Sequence, residues 1–170
     1  MKSKLRTRAV LGTAAVVAAV GTFTAGVGAA QAGEESSRRG KASEREIAAL
    51  FDQWNAALRT GDAAQVADRY APDAVLLPTA SPVIRTDRAG IVDYFEHFLQ
   101  KKPRGEKIRS VINVLDATSA VDAGLYRFYL TDPATGAAKQ IEARYSYEYE
   151  KRGGKWLIVN HHSSVLPAEG

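Results

Sequence analysis

Apolar positions recur every three to four residues through the first half of the described pattern and every two residues through the second. In "SEREIAALFDQWNAALRTGD", Ile47, Leu50, Phe51, Trp54 and Leu58 fall on one stripe, which predicts an amphipathic helix. Ser43 followed by Glu46 forms a capping-box pattern at its start, and Gly61 supplies a stop. Asp62 can cap a second, shorter helix in "AAQVADRY", after which "APDAVLLP" reads as a short strand. A third helix starts at the cap residue Asp87, carries Ile91, Tyr94, Phe95 and Phe98 at helical spacing, and ends before "KKPRG". The period then changes to two. "EKIRSVINVLDA", "LYRFYLTD", "AAKQIEARYSYEYE" and "KWLIVNHHSSVL" read as strands separated by turn-rich pieces such as "DPATG" and "KRGG". Helices followed by a run of antiparallel strands give an α+β class, three N-terminal helices packed on one face of a curved antiparallel sheet.

The last hairpin carries the densest candidate chemistry, so its register matters. A three-residue loop, Arg152-Gly153-Gly154, places Tyr149 opposite Leu157, Tyr147 opposite Val159 and Tyr145 opposite His161. One face then holds Tyr145, Tyr147, Tyr149, Leu157, Val159, His161 and Ser163, and meets the helices. The other holds Arg144, Ser146, Glu148, Trp156, Ile158, Asn160 and His162. A loop of different length reverses the parity and sets Arg144 beside His161, and both registers stay open at this point.

The start of the chain changes the picture of charge. "MKSKLRTR" followed by the weakly apolar run "AVLGTAAVVAAVGTFTAGVGAA" and "AQA" has the form of a secretory signal, which predicts cleavage after residue 32 and a secreted product. That segment contains four of the 23 Lys and Arg and none of the 19 Asp and Glu, so the remainder balances at 19 against 19. The formal charge of +4 therefore gives no argument for nucleic acid or for a membrane surface as partner after cleavage. Residues 33–42, "GEESSRRGKA", read as a flexible leader, and 43–167 as a single domain. The absence of cysteine excludes disulfides, thiol nucleophiles and thiolate metal sites.

His161 and His162 are strand neighbours whose side chains leave opposite faces, so they cannot share a metal ion. His97 has no metal-ligand spacing around it, and no metal is expected. No cofactor is expected either, because the chain lacks a Gly-x-Gly-x-x-Gly fingerprint. Ser163 and Ser164 lie in a strand without a nucleophile elbow and read as hydrogen-bonding strand residues. His161 facing the helices beside Tyr145 and Tyr147 is either a general acid/base or a core histidine bonded to a tyrosine hydroxyl. Trp54 and Tyr94 belong to apolar stripes, core first and pocket lining second. Arg144, Glu148, Trp156, Asn160 and His162 read as a subunit contact or, in the other register, as an alternative site.

The order of elements, with "AALRTGDAAQVADRYAPDAVLL", "IVDYFEHFL" and "GGKWLIVNHHSSVLP", resembles the nuclear transport factor 2-like superfamily. It is most similar to the association domain of calcium/calmodulin-dependent protein kinase II and its bacterial SgcJ/EcaC or SnoaL-like relatives. The resemblance covers about Glu44 to Pro167. It implies a cone-shaped domain that forms a homodimer or higher oligomer, with a pocket between helices and sheet that admits a small-molecule ligand. No kinase segment accompanies it, so kinase activity is not implied. Within the cone, Tyr70 ends a helix at the mouth and is expected to line the cavity. Matched to ketosteroid isomerase, the phenol position falls on Trp54 and the base position near Pro78, which cannot abstract a proton. Matched to the kinase association domains, the pocket arginine positions fall on Arg127, Tyr147 and Ser163, only one of them basic. Arg127 is read both ways, as pocket lining and, because Tyr126, Phe128 and Leu130 form the apolar set of its strand, as turned outward. Three functions follow: a secreted binding or dimerising domain, a cofactor-free isomerase, cyclase or dehydratase using His161, or an oligomerisation module with a filled cone.

Overall fold

The computed structural model describes residues 40–79 and 81–168. The expected signal segment, and the leader up to residue 39, lie outside the described residues. Among those described, no helix is long and apolar enough to cross a membrane.

Helix α1, Glu44–Thr60, starts where Ser43 Oγ accepts from the Glu46 amide at 3.1 Å. It ends at Gly61, whose φ of 74° would strain any residue with a Cβ. The capping box is only half formed: the Glu46 carboxylate accepts instead from the indole N–H of Trp156. Asp62 caps α2, Ala63–Ala67, through the amides of Ala64 and Gln65. Strand β1, Tyr70–Leu77, follows, and then α3, Arg88–Leu99, begins where Asp87 accepts from the Gly90 amide at 2.7 Å. Four long strands complete the chain: β2, Arg104–Val114; β3, Ser119–Thr131; β4, Ala138–Arg152; β5, Lys155–Val165.

The sheet runs in the order β1-β5-β4-β3-β2 and is curved and unclosed. Pairs from β2 to β5 are antiparallel, whereas β1 joins the edge of β5 in parallel. The helices cover one face. Between them lies an aromatic core in which Trp54, Tyr126 and Tyr147 are 2 % exposed or less. Asn55 fastens α1 to β2: its buried side chain donates to the Gly105 carbonyl and accepts from the Gly105 amide, each at 2.9 Å. Gly105 leaves room for this, since a Cβ there would stand 3.0 Å from Phe51.

The final hairpin departs from the expected register. Its loop has two residues, Gly153 and Gly154, with φ of 58° and 80°, the positive values that a type I′ turn demands. Arg152 therefore pairs with Lys155, and Tyr149 with Ile158. Continued without interruption, this register would turn His161 away from the helices. A bulge at Val159 adds one residue to β5, after which Glu148 pairs with Asn160, Tyr147 with His161 and Tyr145 with Ser163. Ile158 and Trp156 accordingly share the helix-facing side with His161, not the outer side on which the sequence reading placed them. Ile158 is 2 % exposed, and Trp156 reaches Glu46 on α1. The bulge, more than the turn, decides which histidine faces inward.

Candidate functional site

Cross-strand register brings Leu76, His161, Tyr147 and Asp122 into one row across the inner face of the sheet. His161 is 4 % exposed, with its ring stacked on Tyr147 at 4.1 Å between centroids and Trp54 meeting it edge-on at 5.6 Å. Its Nδ1 lies 2.9 Å from the Tyr70 hydroxyl, which itself accepts the Trp54 indole N–H at 3.0 Å. Its Nε2 is buried and has no partner among the described residues. Burial, with a smaller repulsion from His162, pulls the imidazole from its ordinary value of 6.5 down to about 3, so the ring is neutral in ordinary buffers. Burial also raises the phenols: Tyr94 is pushed up to about 12, and Tyr70, Tyr126, Tyr145 and Tyr147 rise as well.

Beside His161 the helices and sheet enclose a cavity of about 60 Å³. Its wall is mostly apolar, with Trp54, Tyr94, Phe95, Phe98 and Phe128 among its members, and Pro78 and Thr79 close it from the end of β1. The polar members are few. Ser163 accepts from the Tyr126 hydroxyl and is hydrogen-bonded to Thr79, while the exposed Lys101 also stands in the wall. A volume of 60 Å³ holds a handful of water-sized centres at roughly 10–15 Å³ each, and it is far below the ~300 Å³ of a drug-sized site.

The structure brings together only part of the residue set read from sequence. His161, Trp54, Tyr94 and Ser163 are in the cavity wall. Tyr70, Tyr145 and Tyr147 are buried behind it, Tyr70 as the hydrogen-bond partner of His161 and Tyr147 as its stacking partner. Arg127 is on the outer face, where its Nε donates to Glu142 at 2.9 Å. The inward set of β3 is Tyr126, Phe128 and Leu130, so parity leaves Arg127 no route to the cavity. Of the residues read as an outer contact, Arg144, Glu148 and His162 are exposed on the outer face and Asn160 donates to Glu148 at 3.4 Å. Trp156 is separated from them by the bulge.

A second polar cluster escaped the sequence reading. Asp122, with no exposed surface, accepts from Ser110 Oγ at 2.6 Å, from Tyr145 Oη at 3.0 Å and from Lys107 Nζ. The close approach of β2 depends on Gly124, where a Cβ would stand 1.9 Å from the Arg109 carbonyl oxygen. Asp122 shares parity with Tyr126, Phe128 and Leu130, which is the signal that could have located it. Among the described residues, no group of three His, Asp or Glu side chains is placed to hold a metal ion.

Residues 43–167 match the family profile described as calcium/calmodulin dependent protein kinase II association domain. The chain belongs to that association domain family. A Xanthomonas campestris crystal structure assigned to the same domain shares 55 % identity, with a TM-score of 0.73, covering 75 % of this chain and 91 % of that one. More distant structures share the fold of this association domain. A nuclear transport factor 2-like superfamily protein from Salmonella enterica matches at 16 % identity and TM-score 0.64, covering 74 % and 92 % of the two chains. A ketosteroid isomerase-like protein from Erwinia carotovora matches at 17 % and 0.60, covering 71 % and 94 %. No match is found among curated proteins.

Proposed function

We propose that the protein is a secreted, oligomeric association domain whose cone holds a small molecule in the cavity beside His161. The observation that carries this reading is a largely apolar cavity with a buried imidazole in its wall, one nitrogen engaged by Tyr70 and the other without a partner among the described residues. Family membership supports association into oligomers, and the signal-like first 32 residues support export.

The neutral state of His161 weighs against a general-acid role for it in the enzymatic alternative. An imidazole held near a pKa of 3 is not protonated at neutral pH and so has no proton of the cationic form to give as a general acid. The small volume favours a second reading, an assembly module whose cone is filled by its own side chains. A fragment screen by thermal unfolding separates the two. On the binding reading, small apolar fragments raise the Tm of the wild-type oligomer and lose that effect in Ala143→Val, which narrows the cavity from its fully buried wall. If no fragment stabilises the protein and Ala143→Val raises its Tm, the filled-cone reading stands.

A further inference from the structure

We infer that the molecule in the cone is a small neutral alcohol, its hydroxyl held by the Tyr126–Ser163–Thr79 hydroxyls and the rest of it apolar. The inference rests on the binding reading above and specifies the chemistry of the ligand. Three parts of the sheet supply the site: Tyr126 comes from β3, Ser163 from β5, and Thr79 from the segment that follows β1. All three belong to the cavity wall, Thr79 as a half-buried member. Among the described residues their side-chain oxygens are hydrogen-bonded only to one another, Tyr126 donating to Ser163 and Ser163 meeting Thr79. Most side-chain hydrogen bonds go to backbone or to water instead. A run of hydroxyls drawn from distant segments into an aromatic wall is therefore unusual as packing alone. Burial raises the Tyr126 phenol, so it stays a donor to Ser163.

A count of protons shows what this run offers. Three hydroxyls bring three protons, and the two contacts use two of them, whichever of Ser163 and Thr79 donates to the other. One proton is left over, on Ser163 or on Thr79, and Thr79 keeps a free lone pair in either case. A ketone oxygen would take the proton and leave the lone pair unused. Among the described residues no carboxylate lines the cavity, so an ammonium group would bring an unbalanced charge. A carboxylate would bring one too, against aromatic rings, with the exposed Lys101 as the single cation in the wall. A hydroxyl accepts the spare proton and returns its own to the free lone pair. Water satisfies the same pair, but an alcohol also covers Trp54, Phe95, Phe98 and Phe128 with its apolar part, which the volume limits to a few heavy atoms.

The test uses the full chain with four probes that share one ring: cyclopentanol, cyclopentanone, cyclopentane and cyclopentanecarboxylate. Affinities are measured by NMR titration for wild type and for a variant combining Thr79→Val, Tyr126→Phe and Ser163→Ala. That variant removes the three hydroxyls together, which leaves none of them without its partner and so costs little stability. Wild type is expected to bind cyclopentanol roughly tenfold tighter than cyclopentanone, the effect of one further net hydrogen bond. The variant is expected to lose roughly tenfold or more in cyclopentanol affinity and to bind cyclopentane as wild type does. Should the variant fail to fold, the order of the four probes on wild type decides. A ketone bound as tightly as the alcohol, a carboxylate bound tightest, or equal losses for alcohol and hydrocarbon overturn the alcohol assignment while leaving the cavity as a binding site. Failure of all four probes to bind wild type overturns the binding reading itself.

Discussion

Acidification provides a quantitative test of how deeply His161 is built into the core. The perturbation is a change from pH 7 to pH 5. In the unfolded chain the imidazole titrates near its ordinary 6.5; in the folded protein it is held at about 3. A histidine whose folded pKa lies below its unfolded value contributes its full stability above 6.5 and loses it as the pH falls toward 3, because the unfolded state takes up the proton first. Over the chosen window the unfolded state is favoured by one protonation worth about 2 kcal/mol, while the folded ring stays neutral. Among the described residues no charged side chain bonds to the imidazole: its neighbours are Tyr70, Tyr147 and Trp54, with His162 adjacent in sequence and pointing to the other face. The assay is urea unfolding at both pH values for wild type and His161→Gln. His97 and His162 are exposed and present in both proteins, so the difference between the two isolates His161. Wild type is expected to lose about 2 kcal/mol more than the variant. Equal losses would refute the reasoning, since they would mean that His161 is reached by protons in the folded state.

Three stability predictions follow from the same structure. Asp122→Ala removes the acceptor for Lys107, Ser110 and Tyr145 and is expected to destabilise by about 3–5 kcal/mol in urea unfolding, whereas Asp122→Leu combined with Lys107→Met recovers most of that loss. Gly124→Ala forces a Cβ into the Arg109 carbonyl and is expected to cost about 3 kcal/mol, read as a lowered urea midpoint at unchanged m-value. Asn55→Ala leaves both backbone groups of Gly105 unmet beneath α1 and is expected to cost about 2–4 kcal/mol, with faster amide exchange at Gly105 as the local signature.

Much of the fold is legible in the chain because its signals are local. Ser43, Asp62 and Asp87 cap the three helices that their positions predict, and Gly61 ends the first in the left-handed conformation. Strand parity is legible too: the alternation around Tyr126, Phe128 and Leu130 is the reason Arg127 is outside. What the chain hides are departures from strict alternation. The bulge at Val159 leaves no signature in "KWLIVNHHSSVL", where apolar residues occupy four consecutive positions, yet it reverses the faces of Trp156 and Ile158 relative to His161. The parallel pairing of β1 with β5 is equally silent, being a contact between segments distant in sequence, as in Leu76 with His161. Pairings of that kind also assemble the site. Trp54, Tyr70 and His161 come from α1, β1 and β5, and no spacing in the sequence records that their polar atoms meet.

On the binding reading, His161 is a neutral, buried imidazole beside a cone that a small molecule occupies. The imidazole nitrogen spectrum of the ¹⁵N-histidine-labelled protein between pH 7 and pH 5, with and without a fragment that raises the Tm, tests both halves of that statement at once. The predicted result is a neutral ring throughout, with His161 resonances that move on adding the fragment while those of His97 and His162 do not. A cationic ring at pH 5, or His161 resonances indifferent to every stabilising fragment, would contradict it.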